Sequence, residues 1–255
     1  MAFEIAQFTA RSDNFCVLVH DPASGATASI DAPEADAIID ALERTGWRLT
    51  HILVTHKHSD HVEGIPALKA RYGAEVIGPE ASAAETGLYD RTVSDGDRFT
   101  FGGTTVEVIA TPGHTLDHVT YHMPGEKLAF AGDTLFALGC GRVFEGTPQM
   151  MWGSLLKLRA LPADTTVYCG HEYTLSNARF AATVDPSNTE LTERLREVER
   201  LRNDGKATLP TTIGREIATN PFLRADSPTV MAAVDLTGAD PAEVFAEVRR
   251  RKDRF

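Results

Sequence analysis

The sequence predicts an α/β fold in two parts: a strand-rich domain over residues 1–172 and a smaller α-helical domain over residues 173–255. The first observation is a succession of short apolar, β-branched runs separated by Gly, Pro and Asp, which is typical of strands joined by tight turns. The second is the presence of segments with apolar residues at helical spacing between these runs. The third is a change of character after Leu175, from which point the pattern is mostly helical.

Local signals define the elements of the strand-rich part. Residues 22–25 form a Pro-Ala-Ser-Gly turn between two apolar runs and therefore predict a hairpin. Gly46 and Gly73 are C-cap signals, and the amphipathic segments before them predict helices. In chain order, the predicted elements are strands 14–19 and 26–30, helix 34–45, strand 52–55, helix 64–72, strands 75–78, 99–101, 105–110, 118–122 and 128–131, helix 149–161, and strand 166–169.

The C-terminal part is predicted to contain two well-marked helices. Residues 188–202 form a strongly charged amphipathic segment, and residues 241–252 form the last one. A connection rich in Pro and Thr joins them. The domain boundary is expected near residues 170–174.

The charge balance argues against nucleic acid as a partner. The chain of 255 residues has a formal net charge of -11. Such a field repels a phosphate backbone over most of the surface. We therefore expect a small-molecule substrate and no nucleic-acid partner.

Compartment and association are inferred from what the sequence lacks. Its first residues lack the apolar core of a secretory signal, and its longest apolar runs are far shorter than a membrane span. Cys16, Cys140 and Cys169 are odd in number and widely separated, which is not typical of a disulfide framework. We expect a monomeric cytoplasmic protein with no membrane partner.

The strongest motif is His56-x-His58-x-Asp60-His61, with four metal-competent side chains at the end of a predicted strand. Neither helical nor strand periodicity puts all four on one face, so we predict a loop curled around a central group. Imidazole and carboxylate are ligands that zinc and similar cations prefer, and two adjacent ions would divide the four side chains between them. The alternative is a His-rich surface loop.

Three later segments also follow predicted strands, and each holds one candidate ligand beside a small residue. The candidates are His114 within residues 111–114, Asp133 within residues 131–134 and His171 within residues 169–172. A small neighbour lets the backbone turn tightly and approach a crowded site. A lone His or Asp of this kind is usually a surface, core or turn residue. The motif at residues 56–61 gives the three their significance.

The loop T-H-x-H-x-D-H, followed by single His, Asp and His residues at strand ends, resembles the signature of the metallo-β-lactamase superfamily. The resemblance implies an αββα sandwich with its site at one edge of two facing sheets. It implies a first divalent cation on His56, His58 and His114, a second on Asp60, His61 and His171, and Asp133 bridging the two. Zn²⁺ is the expected metal, with Fe or Mn as alternatives, and a hydroxide is expected between the ions.

Two adjacent cations would support hydrolysis at neutral pH, because metal binding strongly lowers the pKa of water. A substrate carbonyl directed at one cation would be polarised and its developing oxyanion stabilised. We assign catalytic roles to Asp60, which would orient the attacking hydroxide, and to Asp133. The fold alone does not choose the substrate, since relatives handle lactams, thioesters, phosphodiesters and persulfides.

Further segments resemble the glyoxalase II family, which hydrolyses S-acyl glutathione thioesters. They are residues 132–136, 139–142, 144–147, 167–174, 220–224 and 249–253. The resemblance implies cleavage of S-D-lactoylglutathione to D-lactate and glutathione, the second step of methylglyoxal detoxification. It implies that glutathione is bound by Arg142, Phe144, Tyr173, Arg249 and Lys252. Glutathione carries two carboxylates, which suits Arg and Lys on an acidic protein. The alternative for the basic C-terminal cluster is a solvated helix end that complements the helix dipole.

Three positions depart from the family pattern. Lys57 stands where a third His is frequent, which should alter the surroundings of the ligands without removing one. Phe144 stands where some members have Tyr, so a hydroxyl contact to glutathione would be lost and the ring retained. Asp117 replaces a frequent Gly, and its effect has no explanation in the sequence.

Other functions remain as alternatives. The first is a persulfide dioxygenase-like enzyme with a single iron, acting on glutathione persulfide. The full ligand set and the helical C-terminal part favour the two-metal hydrolase over it. A lactamase is disfavoured by the apparent lack of export and by the basic C-terminal cluster. A binding module on a decayed metal scaffold is disfavoured because all seven expected ligands are present.

Overall fold

The computed structural model describes residues 3–255, which form two compact units. The first unit runs to Ala110 and includes Asp117–Gly132, and the second comprises Thr111–Leu116 and Asp133–Phe255. The boundary at residue 172 predicted from the sequence falls inside the second unit and stays a prediction. Residues 1 and 2 of the predicted first domain lie outside the described residues.

The first unit opens with a mixed sheet whose six strands lie side by side in sequence order. Its strands are β1 (Glu4–Ala10), β2 (Asn14–Asp21), β3 (Ala26–Ile30), β4 (His51–Leu53), β5 (Glu75–Pro79) and β6 (Arg91–Val93). The first three are antiparallel, and β3 to β6 pair in parallel. Its helices are α1 (Ala35–Thr45), α2 (Ser59–Val62), α3 (Ile65–Tyr72) and α4 (Ala83–Thr86).

Helices α1 and α3 cover this sheet through their apolar faces. Ile38 and Leu42 of α1 and Leu68 of α3 are fully buried in one cluster with Ile52 and Val76 of the sheet. Gly46 and Gly73 end the two helices in the left-handed conformation, as the sequence predicts. The burial of these apolar side chains stabilises the layer, since each contributes about 1.5–3 kcal/mol when removed from water.

A second set of strands in the first unit is antiparallel throughout. It consists of β7 (Arg98–Phe101), β8 (Thr104–Ala110), β9 (Val119–Met123) and β10 (Leu128–Phe130), each paired with the next. The buried hydroxyl of Tyr121 in β9 donates to the carbonyl of Val54 at 2.8 Å and reaches that of Ile77 at 3.3 Å. This side chain therefore links β9 to the end of β4 and to β5.

The second unit is mainly helical. Its elements are β11 (Leu135–Phe136), β12 (Gly139–Cys140), α5 (Pro148–Arg159), β13 (Thr166–Tyr168), α6 (Thr174–Val184), α7 (Thr189–Asn203), β14 (Thr211–Thr212), α8 (Ile213–Thr219), α9 (Pro228–Ala233) and α10 (Pro241–Asp253). Strands β11 and β12 form a small hairpin, and β13 pairs with β14. None of the helices within residues 3–255 has the length and apolar character needed to span a bilayer.

Several short elements differ from the sequence-based expectation. Strand β1 was not predicted, because it lies at a sheet edge and its polar residues interrupt the apolar pattern. The connection rich in Pro and Thr that follows the helix of residues 188–202 contains α8 and α9, which were not predicted and are only 7 and 6 residues long. Asp60 and His61 lie in the short helix α2 rather than in a loop, although residues 54–58 before them are irregular.

The link made by Tyr121 gives a stability prediction. Tyr121→Phe should lower the free energy of unfolding by about 1–2 kcal/mol, because it removes the hydroxyl that donates to the carbonyl of Val54, while the carbonyl of Ile77 keeps its bond from Val54 N–H. Urea denaturation followed by circular dichroism would measure it. Tyr72→Phe is the matched control, since no hydrogen bond of its hydroxyl occurs within residues 3–255. Equal stability of Tyr121→Phe and the wild type would show that this bridge contributes nothing.

Candidate metal centre

Four predicted ligands lie in the first unit just after β4. His56 and His61 are buried, while His58 and Asp60 are half-buried. His56 Nε2 lies 3.1 Å from His58 Nδ1, and Asp60 Oδ2 lies 3.5 Å from His61 Nε2. Two ligands bound at about 2.1 Å to one tetrahedral ion are about 3.4 Å apart. The spacing therefore fits pairs of ligand atoms that share a cation.

Asp31, which the sequence analysis missed, supports this group. Its Oδ2 lies 2.8 Å from His61 Nδ1, and its two oxygens accept from the backbone N–H and hydroxyl of Thr55 at 2.7 and 2.8 Å. An Asp31 carboxylate that accepts from Nδ1–H fixes the imidazole tautomer and leaves Nε2 as the nitrogen able to ligate a metal. In the sequence, the only signal of Asp31 is its position directly after a predicted strand. In the structure, its φ of 57° lies in the left-handed region.

Two further side chains order the same loop. Asn14 Nδ2 donates to the backbone carbonyl of Asp60 at 3.1 Å and to its carboxylate at 3.2 Å. The buried ring of His118 stacks on His56, with ring centroids 5.0 Å apart. Gly132 must stay small, because a Cβ there would lie 2.6 Å from His118 Nε2. His118 thus packs against a predicted ligand.

The other three predicted ligands lie in the second unit and converge on one oxygen. His114 Nε2 and His171 Nε2 lie 3.4 and 3.3 Å from Asp133 Oδ2, and all three side chains are buried. His114 Nδ1 lies 2.9 Å from the backbone carbonyl of Arg142, which again directs Nε2 toward a ligand position. A buried carboxylate oxygen flanked by two imidazole nitrogens fits a bridging ligand.

The donor set suits divalent cations. All seven predicted ligands belong to groups of three or more His and Asp side chains that could hold a metal ion. Mixed imidazole and carboxylate donors are typical of zinc, iron and manganese sites. Burial of this many polar groups is costly without a cation to bind them. The residues therefore fit divalent metal ions, and the donor set is compatible with each of these three metals.

The predicted cationic residues of the substrate site lie together in the second unit. Arg142 is 65% exposed, with Nε 3.9 Å from an oxygen of Asp253. Arg249 is buried, bonds to the same carboxylate and donates to the carbonyl of Cys140 at 3.0 Å. Lys252 Nζ donates to the Ser176 backbone carbonyl and hydroxyl at 3.0 and 2.8 Å. Burial, followed by the charges of Arg249 and Arg142, lowers the pKa of Lys252 to about 8.

The two predicted aromatic contacts each lie against a metal-competent imidazole. Tyr173 stacks on His171 with ring centroids 4.8 Å apart and planes inclined by 1°. Phe144 is exposed, and its ring centroid lies 5.2 Å from that of His114. Aromatic faces beside ligands can contact the part of a substrate nearest the reacting bond.

Lys57 and Asp117 are the other two residues that depart from the family pattern. Lys57 forms an ion pair with Glu85 at 2.9 Å, which offsets its charge. Asp117 is buried, and neither of its carboxylate oxygens has a hydrogen-bond partner within residues 3–255. Nothing in the structure explains that substitution.

Comparisons with protein families agree with this architecture. Residues 10–171 match the metallo-beta-lactamase superfamily, and residues 172–255 match the family described as hydroxyacylglutathione hydrolase C-terminus. The hydroxyacylglutathione hydrolase of Rhizobium meliloti (strain 1021) is 59% identical and covers 100% of this chain and 99% of that protein. That of Mesorhizobium japonicum is also 59% identical and covers 100% of both.

Solved structures show the same fold. ETHE1 from Myxococcus xanthus aligns with a TM-score of 0.67 at 26% identity, over 99% of this chain and 98% of that one. The BLEG-1 B3 metallo-beta-lactamase aligns with a TM-score of 0.65 at 23% identity, over 86% of this chain and 99% of that one.

The fold is therefore that of the metallo-β-lactamase superfamily, extended by a helical C-terminal part. Within that superfamily, the chain belongs to the hydroxyacylglutathione hydrolase, or glyoxalase II, family. The predicted fold class, family and enzyme class are confirmed. The C-terminal match favours this family over the persulfide dioxygenase-like alternative.

The contact between Asp31 and His61 gives the prediction for this site. Asp31→Asn should raise the dissociation constant for divalent metal about 10- to 100-fold, because its amide NH₂ must face either Nδ1–H of His61 or the backbone N–H of Thr55. Competition with a chromogenic chelator would measure it. Asp21→Asn is the control, since Asp21 is also buried but accepts from Ala23, Ser24 and the backbone N–H of Gly103, none of which is a predicted ligand. Equal metal affinity of Asp31→Asn and the wild type would refute this role.

Proposed function

We propose that this chain hydrolyses S-D-lactoylglutathione to D-lactate and glutathione, the second step of methylglyoxal detoxification. The observation that carries the proposal lies in the second unit. There His171 stacks on Tyr173, while Arg142 and Arg249 pair with Asp253, next to Lys252 in the chain. Metal-competent and anion-binding groups thus share one compact part of the chain. Membership of the hydroxyacylglutathione hydrolase family supports the same substrate.

We propose two divalent cations, most simply Zn²⁺, with Fe or Mn as alternatives. His56, His58 and His114 would hold the first cation, and Asp60, His61 and His171 the second. Asp133 would be a ligand of both cations. Within the first unit the 3.1 Å contact of His56 with His58 supports this assignment. Within the second, the two imidazoles within 3.4 Å of Asp133 Oδ2 support it.

When bound, the cations supply Lewis acidity and an activated water at neutral pH. The protein's own contribution is orientation. Asn14 holds the Asp60 carboxylate, which can accept a hydrogen bond from the attacking water. The breaking bond is C–S, and its electron pair leaves on the glutathione sulfur as a thiolate. A thiolate leaves readily, so no dedicated general acid is required.

Recognition of glutathione is assigned to the cationic cluster and the two aromatic rings. The tripeptide carries two carboxylates, which Arg142 and Lys252 can approach as charge-assisted donors. Arg249 adds its charge from a buried position. Phe144 and Tyr173 would pack beside the thioester, since each lies against a predicted ligand. Phe144 offers a ring without the hydroxyl that Tyr would supply.

We further propose that the chain acts as a cytoplasmic monomer without nucleic-acid or membrane partners, and with its N-terminal 172 residues as the catalytic domain. Cys16, Cys140 and Cys169 are buried free thiols, which suits a reducing compartment. The net charge of -11 opposes binding to phosphate backbones. Gel filtration with light scattering would measure the oligomeric state.

The metal assignment predicts a linked loss of metal and activity. His58→Ala and Asp133→Ala should each lower kcat/KM for S-D-lactoylglutathione at least about 1,000-fold and reduce bound metal, because a ligand is removed. Elemental analysis and a thioester assay would measure both. His20→Gln is the control, since His20 only stacks on Trp47 and bonds Thr27. Oxygen consumption with glutathione persulfide, without thioester hydrolysis, would instead support the dioxygenase.

The lowered pKa of Lys252 predicts a pH-dependent KM. A lysine with a pKa of about 8 is charged below that pH and loses its charge above it. KM for the thioester should therefore rise about tenfold between pH 7 and pH 9, in inverse proportion to the charged fraction of Lys252. Lys252→Arg should remove this rise because its side chain stays charged. The same pH profile in both proteins would exclude Lys252 as the cause.

A further inference from the structure

The hairpin of β11 and β12 joins a predicted metal ligand to a predicted substrate contact. Asp133 lies two residues before β11, and Arg142 lies two residues after β12. The turn between the strands is only Ala137-Leu138, and Leu138 has a φ of 58°. A non-glycine residue in the left-handed region persists only where its surroundings hold it. The hairpin therefore needs external support.

That support comes from side chains of three helices, which bind the backbone of five consecutive residues. Asn220, the C-cap of α8, donates to Phe136 O at 3.1 Å and to Gly139 O at 2.9 Å. Asn177 of α6 donates to Ala137 O at 3.2 Å, and Leu138 N–H donates to Glu216 of α8 at 2.7 Å. Arg249 of α10 donates to Cys140 O at 3.0 Å. Backbone groups of a hairpin that are not paired with each other usually bond to water. Here side chains of the second unit bind the hairpin backbone in addition to the pairing of β11 with β12.

Glu216 is the centre of this arrangement. It is fully buried, and burial raises the pKa of its carboxyl while the bonds from Thr211, Leu138 N–H and Asn220 oppose the rise. Thr211 donates to Oε1 at 2.7 Å, and Asn220 donates to Oε2 at 3.0 Å. A carboxyl group in the core is costly unless each of its oxygens is bonded. Its oxygens are used here to hold the hairpin.

The hairpin end lies directly against the backbone of Asp133. A Cβ placed on Gly141 would be 1.9 Å from Asp133 O, and Gly141 N–H donates to Thr134 O at 3.3 Å. Gly139 is held equally closely, since a Cβ there would be 2.4 Å from Asn177 Nδ2. A shift of the hairpin must therefore displace the residues that carry the Asp133 carboxylate.

We propose that Glu216 and Asn220 are positioning residues that fix the hairpin, and through it the Asp133 carboxylate between His114 and His171. Neither residue touches the ligand atoms. They act by holding the backbone from Phe136 to Gly139 in one conformation. The inference rests on the proposed function for its catalytic consequence, and its effect on metal binding can be measured separately.

The test compares Glu216→Ala with Glu216→Gln in the full chain. Zn²⁺ retention is measured by chelator competition, and kcat and KM are measured with S-D-lactoylglutathione. Glu216→Ala should release Zn²⁺ about 10- to 100-fold more readily and lower kcat more than it raises KM. Glu216→Gln should remain within about threefold of wild type, because its amide oxygen can accept from Leu138 and Asn220 while its NH₂ donates to Thr211.

The control is Asp185→Ala, which removes an equally buried carboxylate of the same unit. Asp185 accepts from Arg224, Asn188 and Thr229 and has no bond to the hairpin within residues 3–255. It should lower the melting temperature and leave Zn²⁺ retention unchanged. Equal Zn²⁺ loss in Asp185→Ala, or none in folded Glu216→Ala, overturns the proposal.

Two further outcomes are decisive. If Glu216→Ala does not fold, Asn220→Ser is measured in the same way, and unchanged Zn²⁺ retention in that variant overturns the proposal. If the wild type binds Zn²⁺ without hydrolysing the thioester, the proposed function fails while the retention measurement still decides the role of Glu216.

Discussion

The structure depends on the compensation of buried carboxylates. Asp133 lies between two imidazole nitrogens, Asp31 bonds to one imidazole and to Thr55, and Glu216 accepts three hydrogen bonds. Each would be costly in the core without these partners. Asp133 offers an oxygen to a predicted metal site, Asp31 bonds to the imidazole of a predicted ligand, and Glu216 binds the backbone of the β11–β12 hairpin.

Strand ends determine where the predicted ligands fall. His56, Asp133 and His171 each lie three residues after the last residue of a strand, namely β4, β10 and β13. His114 follows β8 by four residues. The strand sets the direction of the chain, and the three or four residues that follow it limit how far the side chain can lie from the strand end. Each side chain is therefore placed with little conformational freedom. Gly113 and Gly132, at φ of 147° and 46°, permit turns that other residues would strain.

Features whose residues are close together in the sequence were predicted, whereas single residues with distant partners were missed. Four ligands within residues 56–61 identified the site, and apolar spacing located α1 and α3 within a residue or two. Asp31 and Glu216 were missed because each is a single acidic residue whose partners lie 30 and 78 positions away in the chain. Only tertiary structure brings such partners together. Strand β1 was missed because edge strands carry exposed polar residues that weaken the alternation.

Arg249 shows why a resemblance needs geometry to interpret it. The family pattern assigns it to glutathione, yet its guanidinium donates to Cys140 O, pairs with Asp253 and lies 5.0 Å from the ring of Phe222. Since it also holds the end of the hairpin, its removal would disturb the Asp133 segment as well as the substrate. Arg142, at 65% exposure, has no such structural duty. Under the proposed assignment, a change in KM on replacing Arg142 therefore reports on contact with a substrate carboxylate. A change on replacing Arg249 combines the loss of substrate binding with a displacement of the hairpin.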